Sequence, residues 1–162
     1  MKKKFIIIGG GAAGYFAAIN AAELNPHLEV IILEGSNKVL QKVKVSGGGR
    51  CNVTHACFTP SELIEFYPRG GKELRGPFHQ FMTGDTMEWF ENRGVPLKIE
   101  DDNRIFPESN SSQSIIDCFV EGAKNTGVVL KLSTRVDSIE KINDQYLLKT
   151  SSEEFIADYL LI

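Results

Sequence analysis

Three glycines at the spacing Gly9-x-Gly11-x-x-Gly14 stand where an apolar run, Phe5 to Ile8, passes into an alanine-rich stretch from Ala12 to Leu24. A pair of linked phosphates needs backbone N–H groups at close range and the positive end of a helix dipole, and side chains here would obstruct both. Gly9 permits the tight turn, Gly11 lets a diphosphate approach, and Gly14 lets the helix pack on the strand, with Ala12 and Ala13 in the first helical turn. Glu34 ends a second apolar run about twenty positions after Gly14, where a carboxylate accepts hydrogen bonds from ribose hydroxyls. The same charge would repel a 2′-phosphate, which disfavours NADP in this slot. A glycine triplet alone also marks ordinary turns. Strand, triplet, helix, strand and acid in register point to a bound dinucleotide.

A second constellation is Ser46-Gly47-Gly48-Gly49-Arg50-Cys51-Asn52. Successive glycines let a backbone lie flat against a planar or anionic group, and Arg50 adds a charge-assisted contact. A plain surface loop explains the same spacing, and on spacing alone both readings stay open. Cys51 reads as a small packed residue, since no base has an assignable place beside it. Cys51, His55 and Cys57 match no usual zinc spacing, so no metal site is expected. His27 and His79 read as ordinary histidines.

The elements that position these residues follow from periodicity. Phe5 to Ile8 and Leu28 to Leu33 are continuous β-branched runs of the kind found in parallel strands buried on both faces, and Ala12 to Leu24 is helical by composition. Together they form a right-handed βαβ unit over 4–34. A glycine-rich loop over 35–54 follows where another helix would be usual. A helical segment over 60–126 contains helices from Pro60 to Tyr67, Thr86 to Asn92 and Gln113 to Asn125, with Phe78, Phe81, Met82, Trp89 and Phe90 as its core. An antiparallel β-meander is predicted over 128–157, with strands at Val128–Leu130, Arg135–Ile142, Tyr146–Thr150 and Phe155–Ile156. The apolar run 158–162 returns to the parallel sheet. The expected fold class is α/β, with a parallel central sheet and a small meander, and no domain boundary is drawn.

The chain has 162 residues, 42% hydrophobic and 24% charged, enough for one globular domain or most of one. A formal charge of −3 offers no broad attraction to nucleic acid or anionic lipid, so neither is expected as a partner. Lys2, Lys3 and Lys4 before an apolar run imitate a secretory signal, but Gly9-Gly10-Gly11 interrupts it early. Three cysteines without a CxxC pair make a reducing, cytoplasmic compartment the simpler reading.

The run Gly9-Gly10-Gly11-Ala12-Ala13-Gly14, then Glu34, then LQKVKVSGGGRCNVT from Leu40 to Thr54, then Asn103-Arg104-Ile105-Phe106-Pro107, closely resembles a family of bacterial NAD(P)/FAD-dependent oxidoreductases, the aminoacetone-oxidase-like flavoproteins. SGGGRCN is the most specific part of the likeness, which covers essentially the whole chain. The resemblance implies a Rossmann-like FAD-binding domain. It places the FAD diphosphate at Gly11 to Gly14 and the adenosine ribose at Glu34. The loop from Lys42 to Asn52, with Gly48, Gly49, Arg50, Cys51 and Asn52, then runs beside the ribityl and flavin portions. It also implies that the backbone at Val136 bonds the adenine, that NAD(P)H is a candidate electron donor, and that the substrate is a small molecule. Arg104 faces either the active-site side or a surface salt bridge.

Two residues depart from the family pattern: His55 stands where Asn is frequent, and Gly35 where a larger, commonly basic residue is frequent. Family members continue beyond the last strand, so the chain reads as an incomplete FAD-binding domain whose sheet edge invites self-association. The flavin would carry the redox chemistry, and no catalytic side chain is named. An NAD-binding dehydrogenase or sensor domain, and a non-enzymatic nucleotide-binding remnant, are the alternatives.

Overall fold

The computed structural model describes residues 2–162. They divide into two compact units, one formed by the chain up to Val43 together with Phe119–Ile162, the other by Lys44–Cys118. No such division is drawn from the sequence, because no linker or shift of composition marks it.

The first unit is built on strand β1 (Lys3–Ile8), helix α1 (Ala12–Leu24) and strand β2 (Leu28–Leu33), within a residue or two of the elements read from the apolar runs. Phe5 pairs in parallel with Val30 of β2 on one side and with Tyr159 on the other, where the returning strand runs over Tyr159–Leu161. The two strands are buried on both faces, as their unbroken apolar sequences require. Ile6, Ile31 and Leu33 form one cluster with Leu148, Phe155 and Ala157. Ile7 and Ile32 are equally buried, and by the two-residue period of a strand they face the opposite side. Each such side chain contributes about 1.5–3 kcal/mol by leaving water. Tyr15 of α1 meets Phe119 with ring centroids 6.1 Å apart, so the start of α1 packs against the second half of the Ser112–Asn125 helix.

The meander is shorter than the sequence reading makes it. Val129–Lys131, expected to open it, instead pairs in parallel with β2 and completes a four-stranded sheet. Its apolar residues are continuous, the same signal that marks β1 and β2, but three residues are too few to show which sheet a strand joins. The antiparallel sheet proper comprises Val136–Ile142, Gln145–Thr150 and Glu154–Ala157, spanning 136–157 and not 128–157.

The second unit carries a three-stranded antiparallel sheet of Thr54–His55, Arg104–Pro107 and Leu97–Ile99, in the order first, second, third as named here. None of these strands is visible in the sequence, since two to four residues leave no period to read. Ile105 and Phe106 of the middle strand are fully buried. Trp89 and Phe90, on the helix Thr83–Glu91, are core as expected, whereas Phe81 is exposed. The helix Gly71–Phe78 is also absent from the sequence reading, because its glycines and Pro77 hide it. Among the described residues, no helix is long and apolar enough to cross a membrane.

Candidate functional site

The turn between β1 and α1 is fixed by its glycines. Gly9 has φ = +111°, outside the range of an L side chain, and its N–H donates to the Leu33 carbonyl at 2.8 Å. A β-carbon at Gly14 would fall on the Gly9 carbonyl oxygen, so only glycine lets α1 lie this close to the turn. Gly11 differs: a β-carbon there would meet nothing within 4 Å. Its glycine preserves open space in front of the helix, which is what an approaching ligand needs and what packing does not.

Helix α1 begins without a side-chain cap and with no acidic residue in its first turn. Gly11, Ala12 and Ala13 are exposed there. The first-turn amides therefore have no intrahelical acceptor and face water, a ready anion site of the kind found at helix N-termini.

Glu34 is held beside this turn. One carboxylate oxygen accepts the Gly10 N–H at 2.7 Å and the other the Ser36 N–H at 2.8 Å. Partial burial pushes the carboxyl up, but the bonds from Ser36 and Gly10 outweigh it, leaving Glu34 ionised below the usual carboxylate range. Its charge extends to Tyr15, whose hydroxyl is pushed up by burial first and by Glu34 second. The carboxylate is thus preset in one rotamer, with lone pairs left for hydroxyl donors.

A cleft of about 400 Å³ opens at this point, lined by Gly11, Ala12, Glu34, Ser36, Lys38 and Lys42 among others. It lies at the carboxyl ends of β1 and β2, where open α/β sheets bind ligands. A larger cleft of about 540 Å³, lined by Lys2, His27 and Tyr159, lies at the opposite ends of the strands and touches none of the glycine turn. Glycines without Cβ, free amides, a fixed carboxylate and two lysines form a donor set that fits the diphosphate and ribose of FAD.

Gly10, Ser36 and Lys38 are missed by the sequence reading. Gly10 stands inside the motif as an unconstrained x, yet a β-carbon on it would meet Val39 at 2.8 Å and Glu34 at 3.2 Å. The run of three consecutive glycines is the signal that pointed to it. Lys42 lies on a short helix, Gln41–Val45, inside what reads as loop 35–54. Val136 starts its strand two residues after Thr134, whose N–H donates to the Glu34 carbonyl at 2.8 Å, so its segment is tied to the acid. A β-carbon at Gly35 would make only ordinary contact with Arg135, so packing does not require glycine there.

The second constellation is described within its own unit. Gly47, Gly48 and Gly49 have φ of +55°, +68° and +86°. A β-carbon at Gly47 would clash with the Asn52 nitrogen and the Phe106 ring, whereas Gly48 and Gly49 face open space. The Cys51 N–H returns to the Ser46 carbonyl at 3.0 Å and closes the loop. Arg50 lies 3.9 Å over the Phe106 ring and reaches Glu100 at 2.5 Å, which makes it an anchor of the loop. Cys51 is buried, and burial pushes its thiol up against a smaller opposing bond from Ser46, so a thiolate is disfavoured there. Asn52 is exposed. Arg104 is exposed and pairs with Asp102 at 2.6 Å, the surface salt bridge of the two readings. Among the described residues, no group of three His, Cys, Asp or Glu side chains is placed to hold a metal.

Comparison with known proteins gives the same frame. The family model described as the HI0933-like protein Rossmann domain matches residues 3–162. A 3-dehydro-bile acid delta(4,6)-reductase of Clostridium scindens is 28% identical over 156 residues, 96% of this chain and 37% of that protein. A ribosomal RNA dihydrouridine synthase of Escherichia coli is 29% identical over 136 residues, 84% of this chain and 32% of that protein. Among solved structures, the 3-ketosteroid-delta4-(5alpha)-dehydrogenase of Rhodococcus jostii superposes with a TM-score of 0.65 at 16% identity, over 97% of this chain and 44% of that one. The chain therefore spans well under half the length of these relatives.

Proposed function

Because the chain belongs to the HI0933-like Rossmann domain family of FAD-dependent oxidoreductases, we propose that its glycine turn holds the FAD diphosphate and that the complete enzyme saturates a C=C bond conjugated with a carbonyl. The observation that carries the first half is the pairing of Gly14, which packing requires, with Gly11, which packing does not require. The second half is supported by what two relatives share. One is named for reducing 4,6-unsaturation in a 3-keto bile acid and the other for forming dihydrouridine. Both reactions add a hydride and a proton across a double bond conjugated with a carbonyl.

In this reading the amides of Gly11, Ala12, Ala13 and Gly14 point at the two phosphates at the positive end of α1. Lys38 and Lys42 add positive charge along the cleft. Glu34, preset by Gly10 and Ser36, accepts the ribose hydroxyls, and Val136 offers backbone groups to the adenine. For Gly48, Gly49, Arg50, Cys51 and Asn52 the same reading assigns the flavin end, supported by the space that Gly48 and Gly49 leave open. FAD, when bound, supplies the two-electron chemistry, with NAD(P)H as the donor we assign.

The test is the visible spectrum of the complete protein after reconstitution with FAD, followed by anaerobic NADH or NADPH and a simple enone such as cyclohexenone. Retained flavin that NAD(P)H reduces and the enone reoxidises is the expected result. Tight NAD binding without FAD would transfer the assignment to a dehydrogenase or sensor domain. Bound FAD without electron transfer from any donor would leave a nucleotide-binding remnant.

A further inference from the structure

Within the second unit, the stretch from Phe58 to Arg75 carries a surface that the dinucleotide site does not use. Phe58 and Phe66 are 55% and 57% exposed, and Tyr67 is exposed beside them. Rings of that size belong in a core or an interface, and grouped in water they mark a place where another surface docks. Phe58 and Phe66 line an open cleft of about 620 Å³ with His55, Glu62 and Glu65. The cleft floor is firm: Thr83 donates to the His55 carbonyl at 2.9 Å, and the Ala56 N–H donates to the Asn103 carbonyl at 2.7 Å.

The charges on this surface balance, but they are sorted by sign. Glu62 and Glu65 sit at the cleft, which no lysine or arginine lines. Arg69 follows, and Lys72 and Arg75, three positions apart, lie side by side on the exposed face of the helix Gly71–Phe78. Glu73 alone interrupts the basic part. Among the described residues, none of these six charged side chains makes an ion pair. Both parts belong to one face. A β-carbon at Gly71 would fall 2.6 Å from the Ile64 carbonyl oxygen, so glycine lets the helix lie directly on the turn that carries Glu65 and Phe66. Phe66 stacks on His55 with ring centroids 4.3 Å apart, and the neighbouring Tyr67 meets Phe78 of the helix at 5.5 Å.

Elsewhere in this unit an arginine is held by a ring and a carboxylate together. Arg50 lies over Phe106 and pairs with Glu100, and Arg104 lies over the same ring and pairs with Asp102. The cleft offers the same combination, exposed rings with two carboxylates, and Arg69 and Arg75 are exposed arginines without it. A face whose acidic part supplies what its basic part needs is complementary to itself about a two-fold axis. Aromatic residues and arginine are also the types enriched where proteins meet.

We infer that this face joins two copies of the chain about a two-fold axis, with Arg69 and Arg75 of each copy set against Phe58, Phe66, Glu62 and Glu65 of the other. The rings supply the affinity, and the sorted charges fix the register. The inference does not rest on the flavin reading, and it makes no use of the sheet edge at Tyr159–Leu161.

The test is sedimentation velocity of the complete protein over a concentration series. Wild type should dimerise, and added salt should weaken the dimer by screening its exposed charges. Glu62→Arg/Glu65→Arg and Arg69→Glu/Arg75→Glu should each weaken dimerisation about tenfold or more, because like charges then face each other. Mixing the two variants should restore a dimer, since each then presents the charge that the other lacks, and restored pairing shows that both are folded. Phe58→Ser/Phe66→Ser, which removes exposed rings, should leave a monomer. The inference is overturned if wild type stays monomeric throughout the series, or if folded charge variants remain apart on mixing. Where a charge variant fails to fold, the ring variant decides alone, and a dimer of wild-type strength from it overturns the inference. Association that persists through all three variants runs through another face and overturns it as well.

Discussion

Gly11 and Gly14 belong to one motif, yet the structure gives alanine a different consequence at each. At Gly14 the added β-carbon falls on the Gly9 carbonyl oxygen and lies 3.4 Å from the Ile7 side chain, so α1 must move off the sheet. Overpacking of this kind costs about 1–3 kcal/mol, and the displaced helix also carries its amides away from the phosphates. At Gly11 the β-carbon meets nothing within 4 Å, and the backbone, with φ = −89° and ψ = −177°, suits any L residue. Folding stability should therefore change by less than about 1 kcal/mol, the scale of an N-cap substitution. The methyl group nevertheless stands in the path of the diphosphate. Losing one or two charge-assisted hydrogen bonds, at about 1.5–3 kcal/mol each, weakens FAD binding at least tenfold. Urea unfolding of the apoprotein measures the first quantity, and flavin fluorescence during titration of the complete protein measures the second. Gly14→Ala should lose both stability and affinity, and Gly11→Ala affinity alone. If Gly11→Ala holds FAD within threefold of wild type, the turn does not cradle the cofactor and the assignment fails.

Glu34 is depressed, so its contribution is fully present above the ordinary carboxylate range and is lost as pH falls through the lowered folded-state value. Urea midpoints of wild type and Glu34→Gln should accordingly differ at pH 7 and draw together as the pH falls below the ordinary carboxylate range; a constant gap throughout would contradict the bonds to Gly10 and Ser36. Arg50 holds its loop through Phe106 and Glu100, each ionic partner roughly a third exposed or less. A double-mutant cycle with Arg50→Met and Glu100→Gln should give a coupling of about 1 kcal/mol, whereas zero coupling would make the pair ornamental. The apolar residues Tyr159, Leu161 and Ile162 are exposed along the strand that flanks β1. We propose that this chain alone self-associates through that edge, and a monodisperse monomer in sedimentation velocity would rule it out.

The parts legible in the sequence are those with a period or a steric rule long enough to read. β1, α1 and β2 declare themselves because both faces of the strands are buried and the helix is rich in alanine. Gly9 and Gly14 declare themselves because no other residue meets their geometry. What escapes is set by contacts between distant residues. Val129–Lys131 carries the same apolar run as β1, but only its pairing with Ile31 to Leu33 decides that it extends the parallel sheet. Arg50 stands in the glycine run as a ligand contact would, but only the folded chain shows Phe106, more than fifty positions away, beneath its guanidinium. The same limit separates the two glycine segments. At Gly11 the empty space is explained by neither packing nor backbone strain, so it points to a ligand. At Gly47 the space is already taken by Phe106 and Asn52, so that glycine is explained by the protein itself. Function is therefore best sought at Gly11, where the fold accepts a side chain's volume without backbone strain and the sequence withholds it, whereas the positive φ of Gly48 and Gly49 already calls for glycine.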